Sequence, residues 1–290
     1  MNNLVSVVMI TYGHENYISK AIEGVFMQKT KFPIEFIIAN DNSPDSTDDV
    51  IKNILTTVPS HIEIKYTKHT HNKGMMGNFI WALAQAKGKY VAYFDGDDYW
   101  IDENKLQKQY DFMESHQDYA ICCHNFKLQD GENISDKSFF DDLTIKETSS
   151  IEDLARQNIV PTLTSFFRNI KVEFPQWSYS SPLGDLVLFL NVARFGKIRY
   201  FNEKMAVYRQ NVGVWSGKKQ DYSKLAWMYS NLANDFKDLP NVYSELKRQE
   251  QNHAKYYLET LAYESMLRDD YFKKLPLLQK IKLLLKKILR

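Results

Sequence analysis

The chain has 290 residues, 44% apolar and 14% aromatic, with 37 Lys+Arg against 36 Asp+Glu for a net charge of +1. That length suits one large domain or two modest ones at roughly 100–200 residues each, and the apolar share excludes wholesale disorder. The near-neutral sum argues against a nucleic-acid partner, and the 11 Gly and 8 Pro are too few for a collagen-like or linker-dominated chain.

Leu4 to Ile10 is β-branched and apolar on both faces, the pattern of a buried parallel strand. Its shortness and the lack of a basic flank set it apart from a signal peptide. Ile18, Ala21, Ile22, Val25 and Phe26 follow at helical spacing. Glu35–Ala39 is a second strand, and Ser46-Thr-Asp-Asp49 is expected to cap a helix carrying Val50, Ile51, Ile54 and Leu55. Ile62–Tyr66 reads as a third strand, Met76, Phe79, Ile80 and Leu83 as a helix, and Lys89–Phe94 as a fourth strand.

Strand and helix thus alternate to about residue 115, which implies a doubly wound α/β sheet with ligands at the carboxyl ends of its strands. Beyond it, short strands are expected at 119–126, 162–167, 197–201 and 205–208, with a helix near 185–195. Residues 127–150 are polar and aperiodic and read as a loop. From Asp221 the chain is mostly helical, with Leu225, Met228, Tyr229, Leu232 and Phe236 as an apolar stripe.

The two cysteines, Cys122 and Cys123, are adjacent within an apolar run and read as buried free thiols. His124 reads as a core histidine, and His69 with His71 as a weak metal signal. No segment reaches the ~18 apolar residues that span a bilayer.

The chemistry gathers after the strands. The first four end in Thr11-Tyr-Gly-His-Glu-Asn16, Asn40-Asp-Asn-Ser-Pro-Asp45, His71-Asn-Lys-Gly-Met-Met-Gly-Asn78 and Asp95-Gly-Asp-Asp98. One sheet edge would collect all four. Three carboxylates in four residues repel one another unless a hard cation sits among them; alone, the motif reads equally as a solvated acidic turn. No GxGxxG and no GxxxxGK[ST] is present, which disfavours a nicotinamide enzyme or a P-loop NTPase.

In this order the motifs resemble a family 2 glycosyltransferase of the GT-A fold. The matching pieces are Val5–Tyr12 with Glu15, Asn40–Ser43 with Thr47-Asp48, Asn72–Gly74 with Asn78, Gly88–Trp100, Leu183–Leu190, Val207–Arg209 and Val214–Ser216. The resemblance implies a GT-A nucleotide-binding sheet with a mixed acceptor-side region and a C-terminal helical extension. Residues 1–115 would form the nucleotide-sugar half and 116–220 the acceptor and base half of one domain. Residues 221–290 would form helices ending in a membrane-binding one.

The resemblance also implies an inverting transfer from a UDP-linked sugar to a glycan or polyprenyl-diphosphate-linked acceptor in surface-polysaccharide synthesis. Thr11, Tyr12, Glu15 and Asp41 would grip the nucleotide, with Asn72, Gly74 and Asn78 closing the base pocket or equally forming a turn and helix cap. Asp41 also suits an Asx-turn cap. Asp97 would hold Mg²⁺ or Mn²⁺, with Asp95 on the ribose or the metal, and Arg209 would pair with the diphosphate. Trp215 would cover a sugar face or equally be a buried core residue. Asp185 would be the general base, although the start of a helix is also where a capping Asp belongs. Many such enzymes carry His where this chain has Asn211, which puts metal coordination by that loop in doubt. A non-catalytic nucleotide-sugar-binding scaffold and a sugar-phosphate nucleotidyltransferase are the alternatives. The second lacks its Gly-rich basic loop here.

Residues 271–290 hold seven basic and no acidic side chains, so residues 1–270 carry −6. A helical wheel puts Leu277, Leu278, Ile281, Leu284, Leu285, Ile288 and Leu289 on one stripe. Lys280, Lys286, Lys287 and Arg290 fall opposite, with Leu283 the exception. Such a basic amphipathic helix suits an anionic bilayer surface or packing on neighbouring helices. The expected location is cytoplasmic, peripherally on the inner face of the cell membrane, without a nucleic-acid partner.

Overall fold

The computed structural model describes residues 4–141, 145–213 and 220–288. It divides into two compact units, Met1–Lys218 and Lys219–Arg290.

The first unit opens with β1 (Val5–Thr11), α1 (Ile18–Phe26), β2 (Ile34–Asn40), α2 (Thr47–Ile54), β3 (Ile62–Lys68), α3 (Gly74–Ala84) and β4 (Tyr90–Asp95). β1 and β2 are buried along their whole length, because both faces of a parallel sheet are covered. In register, Thr11 lies beside Asn40, Asn40 beside Lys68, and Ile10 beside Asp95. That register brings the four following loops to one edge.

Next come β5 (Tyr99–Trp100), α4 (Lys105–Ser115), β6 (Tyr119–Asp130), β7 (Asn133–Ser135), β8 (Thr148–Ser149) and α5 (Ile151–Arg156). β9 (Phe166–Arg168), α6 (Gly184–Ala193) and β10 (Lys197–Arg209) complete the unit. The sheet order is β3-β2-β1-β4-β9-β6-β10-β5. β9 runs antiparallel to β4 and β6, so the sheet is mixed on this side.

Three local expectations change. Residues 127–150 are not one loop: β6 runs on to Asp130 and pairs with β7 through a tight turn at Gly131, whose φ of 57° suits glycine. The segments at 197–201 and 205–208 are one strand, β10, interrupted by register shifts between Phe201 and Ala206. Residues 162–164 form a 3₁₀ turn after Pro161, ahead of β9. Ser46 stands at the N-cap of α2 as expected but makes no side-chain cap bond. Asp45 rather than Ser46 accepts the Thr47 N–H, at 3.1 Å.

Two buried ionisable side chains brace the unit. Glu35 is inaccessible and accepts from Ser6, Lys65 and the Lys87 N–H. Lys105 is also inaccessible, 3.9 Å from the Trp100 ring centre and 2.8 Å from Gln109 Oε1. Burial pushes Lys105 down to about 7. Cys122 and Cys123 are buried free thiols, and His124 is buried with burial holding it neutral. His69 bonds Asn78 at 3.0 Å inside the fold.

The second unit contains α7 (Tyr222–Asp235), α8 (Pro240–Thr260), α9 (Tyr263–Arg268), α10 (Asp270–Lys274) and α11 (Leu277–Ile288). The α7 stripe Leu225, Met228, Tyr229 and Leu232 is buried, as is Phe236 beyond it. Leu258, Met266, Phe272 and Leu283 form a small core under α11. Leu283, the exception on the wheel, is therefore the inward residue. Its tertiary partners, not its helical neighbours, fix which way α11 faces. The Ile288 side chain, Leu289 and Arg290 lie outside the described residues. Among the described residues no helix is long and apolar enough to cross a membrane.

Candidate active site

The loops after β1 and β2 are laced together. His14 N–H donates to Thr47 Oγ1 at 2.9 Å, and Glu15 N–H to Asp45 Oδ2 at 3.1 Å. Glu15 Oε2 accepts the Ser46 N–H at 2.8 Å. Thr11 is buried, with Oγ1 3.1 Å from His14 Nδ1. Tyr12 stands out, 48% exposed.

Asp41, buried at the end of β2, accepts the Lys73 N–H at 2.7 Å. Asn72 closes the same corner: its Nδ2 donates to Asp41 O at 3.2 Å and its Oδ1 accepts Gly74 N–H at 2.8 Å. Gly74 starts α3 with φ of 76°, a conformation that favours glycine. Asn78 is placed differently from the rest. Its Oδ1 meets His69, its Nδ2 donates to Ala39 O at 2.9 Å, and it is buried. It ties α3 to β2 and shows no free end.

β4 delivers the acidic turn. Gly96 is needed there, because a Cβ would stand 2.8 Å from Ile18 Cδ1 and 3.0 Å from Thr11. Asp95 accepts the Tyr93 hydroxyl at 2.8 Å. Burial, then Asp97 and Asp185, push its carboxyl up to about 7. Asp98 is also pushed well above the usual carboxylate range, by burial and then Asp97. Its Oδ1 accepts the Arg209 backbone N–H at 2.9 Å.

The Arg209 guanidinium donates to the Asp97 carbonyl and lies 4.5 Å from the Tyr99 ring centre and 5.1 Å from that of Tyr17. At 6% exposed, it sits within this turn as its counter-charge.

Gly213 closes on the turn from the far side. A Cβ there would lie 2.5 Å from Asp97 Oδ2. Asn211, at φ of 61°, directs its amide to Asp130 Oδ1 at 3.5 Å. Trp215 lies outside the described residues.

Asp185 is the second residue of α6, one position inside the helix rather than at its N-cap. Its Oδ1 accepts the Leu186 N–H at 2.8 Å. Its Oδ2 accepts from Asn158 Nδ2 and Thr162 Oγ1, each at 3.3 Å. Burial raises its proton affinity, and these hydrogen bonds oppose the rise. Asn158 and Thr162 lie more than 20 residues upstream of Asp185, beyond any local pattern. His14 is the other residue that sequence reasoning passed over, although it lies inside the first loop. It faces the fields of Asp97, Asp45 and Arg209, and burial lowers its proton affinity most.

The site therefore holds four carboxylates, at Asp95, Asp97, Asp98 and Asp185, and one buried guanidinium. Burial and then Asp97 raise Asp95 and Asp98, and carboxylate oxygens in such a place are the ligands a hard divalent cation prefers. Among the described residues no three His, Cys, Asp or Glu side chains are grouped to hold a metal ion unaided. Such a set suits Mg²⁺ or Mn²⁺ that takes its remaining ligands from phosphate and water.

Residues 6–174 match the model of the Glycosyl transferase family 2. The chain is 33% identical over 228 residues to an uncharacterized protein of Mycobacterium tuberculosis, covering 76% of this chain and 62% of that protein. It is 28% identical over 226 residues to the putative teichuronic acid biosynthesis glycosyltransferase TuaG of Bacillus subtilis, covering 77% of this chain and 86% of the relative. The fold is similar to that of TarS residues 1–349 from S. aureus, with a TM-score of 0.65 at 18% identity over 94% of this chain and 81% of that one. TarS in complex with UDP-GlcNAc superposes with a TM-score of 0.59 at 19% identity, over 98% and 80% of the two chains.

Proposed function

The chain belongs to glycosyl transferase family 2, and from that premise we propose that it moves a sugar from a UDP-linked donor to an acceptor hydroxyl with inversion at the anomeric carbon. The observation that carries this reading is a pair of carboxylate positions in one site, near enough for Asp185 to act on Asp95. One is the Asp95–Asp97 turn at the end of β4, and the other is Asp185, held by three donors on α6.

Tyr12 offers an exposed ring for the base, with Thr11 and Glu15 beside it. One Asp41 oxygen is engaged by Lys73, and the other is assigned to an imide N–H of uracil. Asn72 and Gly74 hold the third loop against that pocket, with Asn78 anchoring it from inside. Asp97, with Asp95, would hold Mg²⁺ or Mn²⁺, which when bound neutralises charge developing on the leaving diphosphate. Arg209 keeps the acidic turn folded and adds positive field toward the diphosphate.

Asp185 takes the proton of the acceptor hydroxyl as its oxygen bonds to the anomeric carbon. The bond from that carbon to the diphosphate breaks, and UDP leaves. A general base of this kind contributes about 10²–10⁴-fold.

The proposed division assigns residues 1–115 to the donor and 116–220 to the acceptor. The acceptor class is a surface glycan or its polyprenyl-diphosphate carrier, supported by the teichuronic acid role in the name of TuaG. A carrier of that kind places the protein on the cytoplasmic face of the membrane, with 271–290 as its contact. The chain spans 62% of its mycobacterial relative, so the activity of a whole protein of that length is part of the proposal.

Thermal unfolding with nucleotide-sugars and Mn²⁺ or Mg²⁺ tests the donor. A specific UDP-sugar at 100 times its Kd stabilises the fold by about 2.7 kcal/mol. No uridine-dependent shift with either ion contradicts the reading.

A further inference from the structure

Helix α11 has two apolar sides, and the structure separates them. Leu283, 4% exposed, points into the small core of Leu258, Met266 and Phe272. Lys286 pairs with Glu259 at 2.7 Å. Lys287 Nζ donates to the carbonyls of Glu259 at 2.8 Å and Leu261 at 2.5 Å. Those bonds satisfy the end of α8, where a helix leaves carbonyls unpaired. Lys280 Nζ donates to Lys273 O at 2.7 Å. The rotation of α11 about its own axis is therefore fixed by the second unit itself.

On the outer side Leu277 is 73% exposed, Leu278 74%, Ile281 42% and Leu285 51%. At 3.6 residues per turn these four span about 100° of arc, centred nearly opposite Leu283. Lys282 borders the stripe and is exposed, as is Lys274 just before the helix. No acidic residue occurs in 271–290, while residues 1–270 carry −6. An apolar stripe bordered by Lys282, on a segment without acidic residues, suits an anionic surface that has an apolar interior. A second copy of the same face would instead set Lys282 against Lys282. The 12 residues of α11 reach only about 18 Å, too short to cross a bilayer of about 30 Å.

We propose that this outer face of α11 lies on an anionic bilayer. Leu277, Leu278, Ile281 and Leu285 enter the acyl boundary, and Lys282 and Lys274 meet lipid phosphates. Lys286 and Lys287 are assigned to locking the helix rather than to lipid. The assignment rests on the proposed membrane placement and is independent of the sugar-transfer chemistry.

Flotation of the full chain with vesicles of phosphatidylcholine, with and without phosphatidylglycerol, tests it. The chain is expected to float with the anionic vesicles and not with the neutral ones. Leu278→Gln/Ile281→Gln is expected to cut the floating fraction by about tenfold, and Lys282→Gln to lower the salt that releases the protein. Unchanged circular dichroism and an unchanged UDP-sugar thermal shift show that the variants are folded. Flotation independent of phosphatidylglycerol, or undiminished in the double variant, overturns the proposal. So does a dimer that the double variant dissolves in a chain that never floats, which assigns the face to a second copy.

Discussion

Asn158 Nδ2 donates to Asp185 Oδ2 at 3.3 Å, and Thr162 Oγ1 donates to the same oxygen at the same distance. With the Leu186 N–H on Oδ1, the carboxylate is held from both sides. Burial alone would leave it protonated too readily, and the donors counter that.

The first prediction concerns pH. Burial raises Asp185 above its ordinary carboxylate range, so its ionised form is lost as pH falls through that raised value. The acid limb of kcat/KM is expected to lie above about 3.9. Asn158→Ala and Thr162→Val each remove a donor to the charged form, so the limb moves to higher pH, with about a three- to tenfold loss on it. UDP affinity is expected to stay unchanged. A limb that does not move in either variant contradicts the holding role.

Gly213→Ala tests the turn from the other side. The new methyl would stand 2.5 Å from Asp97 Oδ2, so the carboxylate or the loop must give way. Transfer is expected to fall by about tenfold or more, with a higher Mn²⁺ concentration at half-saturation. A metal titration identical to that of the parent contradicts the close approach.

Lys105 supplies a stability prediction. Its folded value is pushed down to about 7, against about 10.4 in an unfolded chain. Between these values the unfolded state binds more protons, so rising pH stabilises the fold. Lys105→Met removes that dependence. Urea unfolding at about pH 7 and pH 9.5 should show the parent gaining on the variant by on the order of a few kcal/mol. A constant gap contradicts a neutralised buried lysine.

The parts of the fold legible in the sequence are those governed by local periodicity. β1, β2 and β4 are mainly apolar on both faces, interrupted by the buried Ser6 and Glu35, because both sheet faces are covered, and the loops that follow them reach one edge through simple parallel register. β10 reads as two pieces because register shifts between Phe201 and Ala206 break its alternation. The β6–β7 hairpin is hidden because β7 is only three residues long and wholly exposed, which leaves no buried alternation to read.

In the candidate site, Asp95, Asp97 and Asp185 stand out by chemistry and position. Their supports do not. Arg209 meets Asp97 and Asp98 across more than 100 residues, and Asn158 reaches Asp185 from a loop without a motif. The outward stripe of α11 is visible on a helical wheel, but the inward role of Leu283 depends on Met266 and Phe272.

The most direct test is single-turnover transfer by Asp185→Asn alongside UDP binding by the same protein. The parent is expected to transfer sugar from a UDP-sugar in the presence of Mn²⁺. The variant should lose about 10²-fold or more in transfer while binding UDP within about twofold of the parent. Transfer at the parental rate by Asp185→Asn would contradict the assignment of Asp185 as the base.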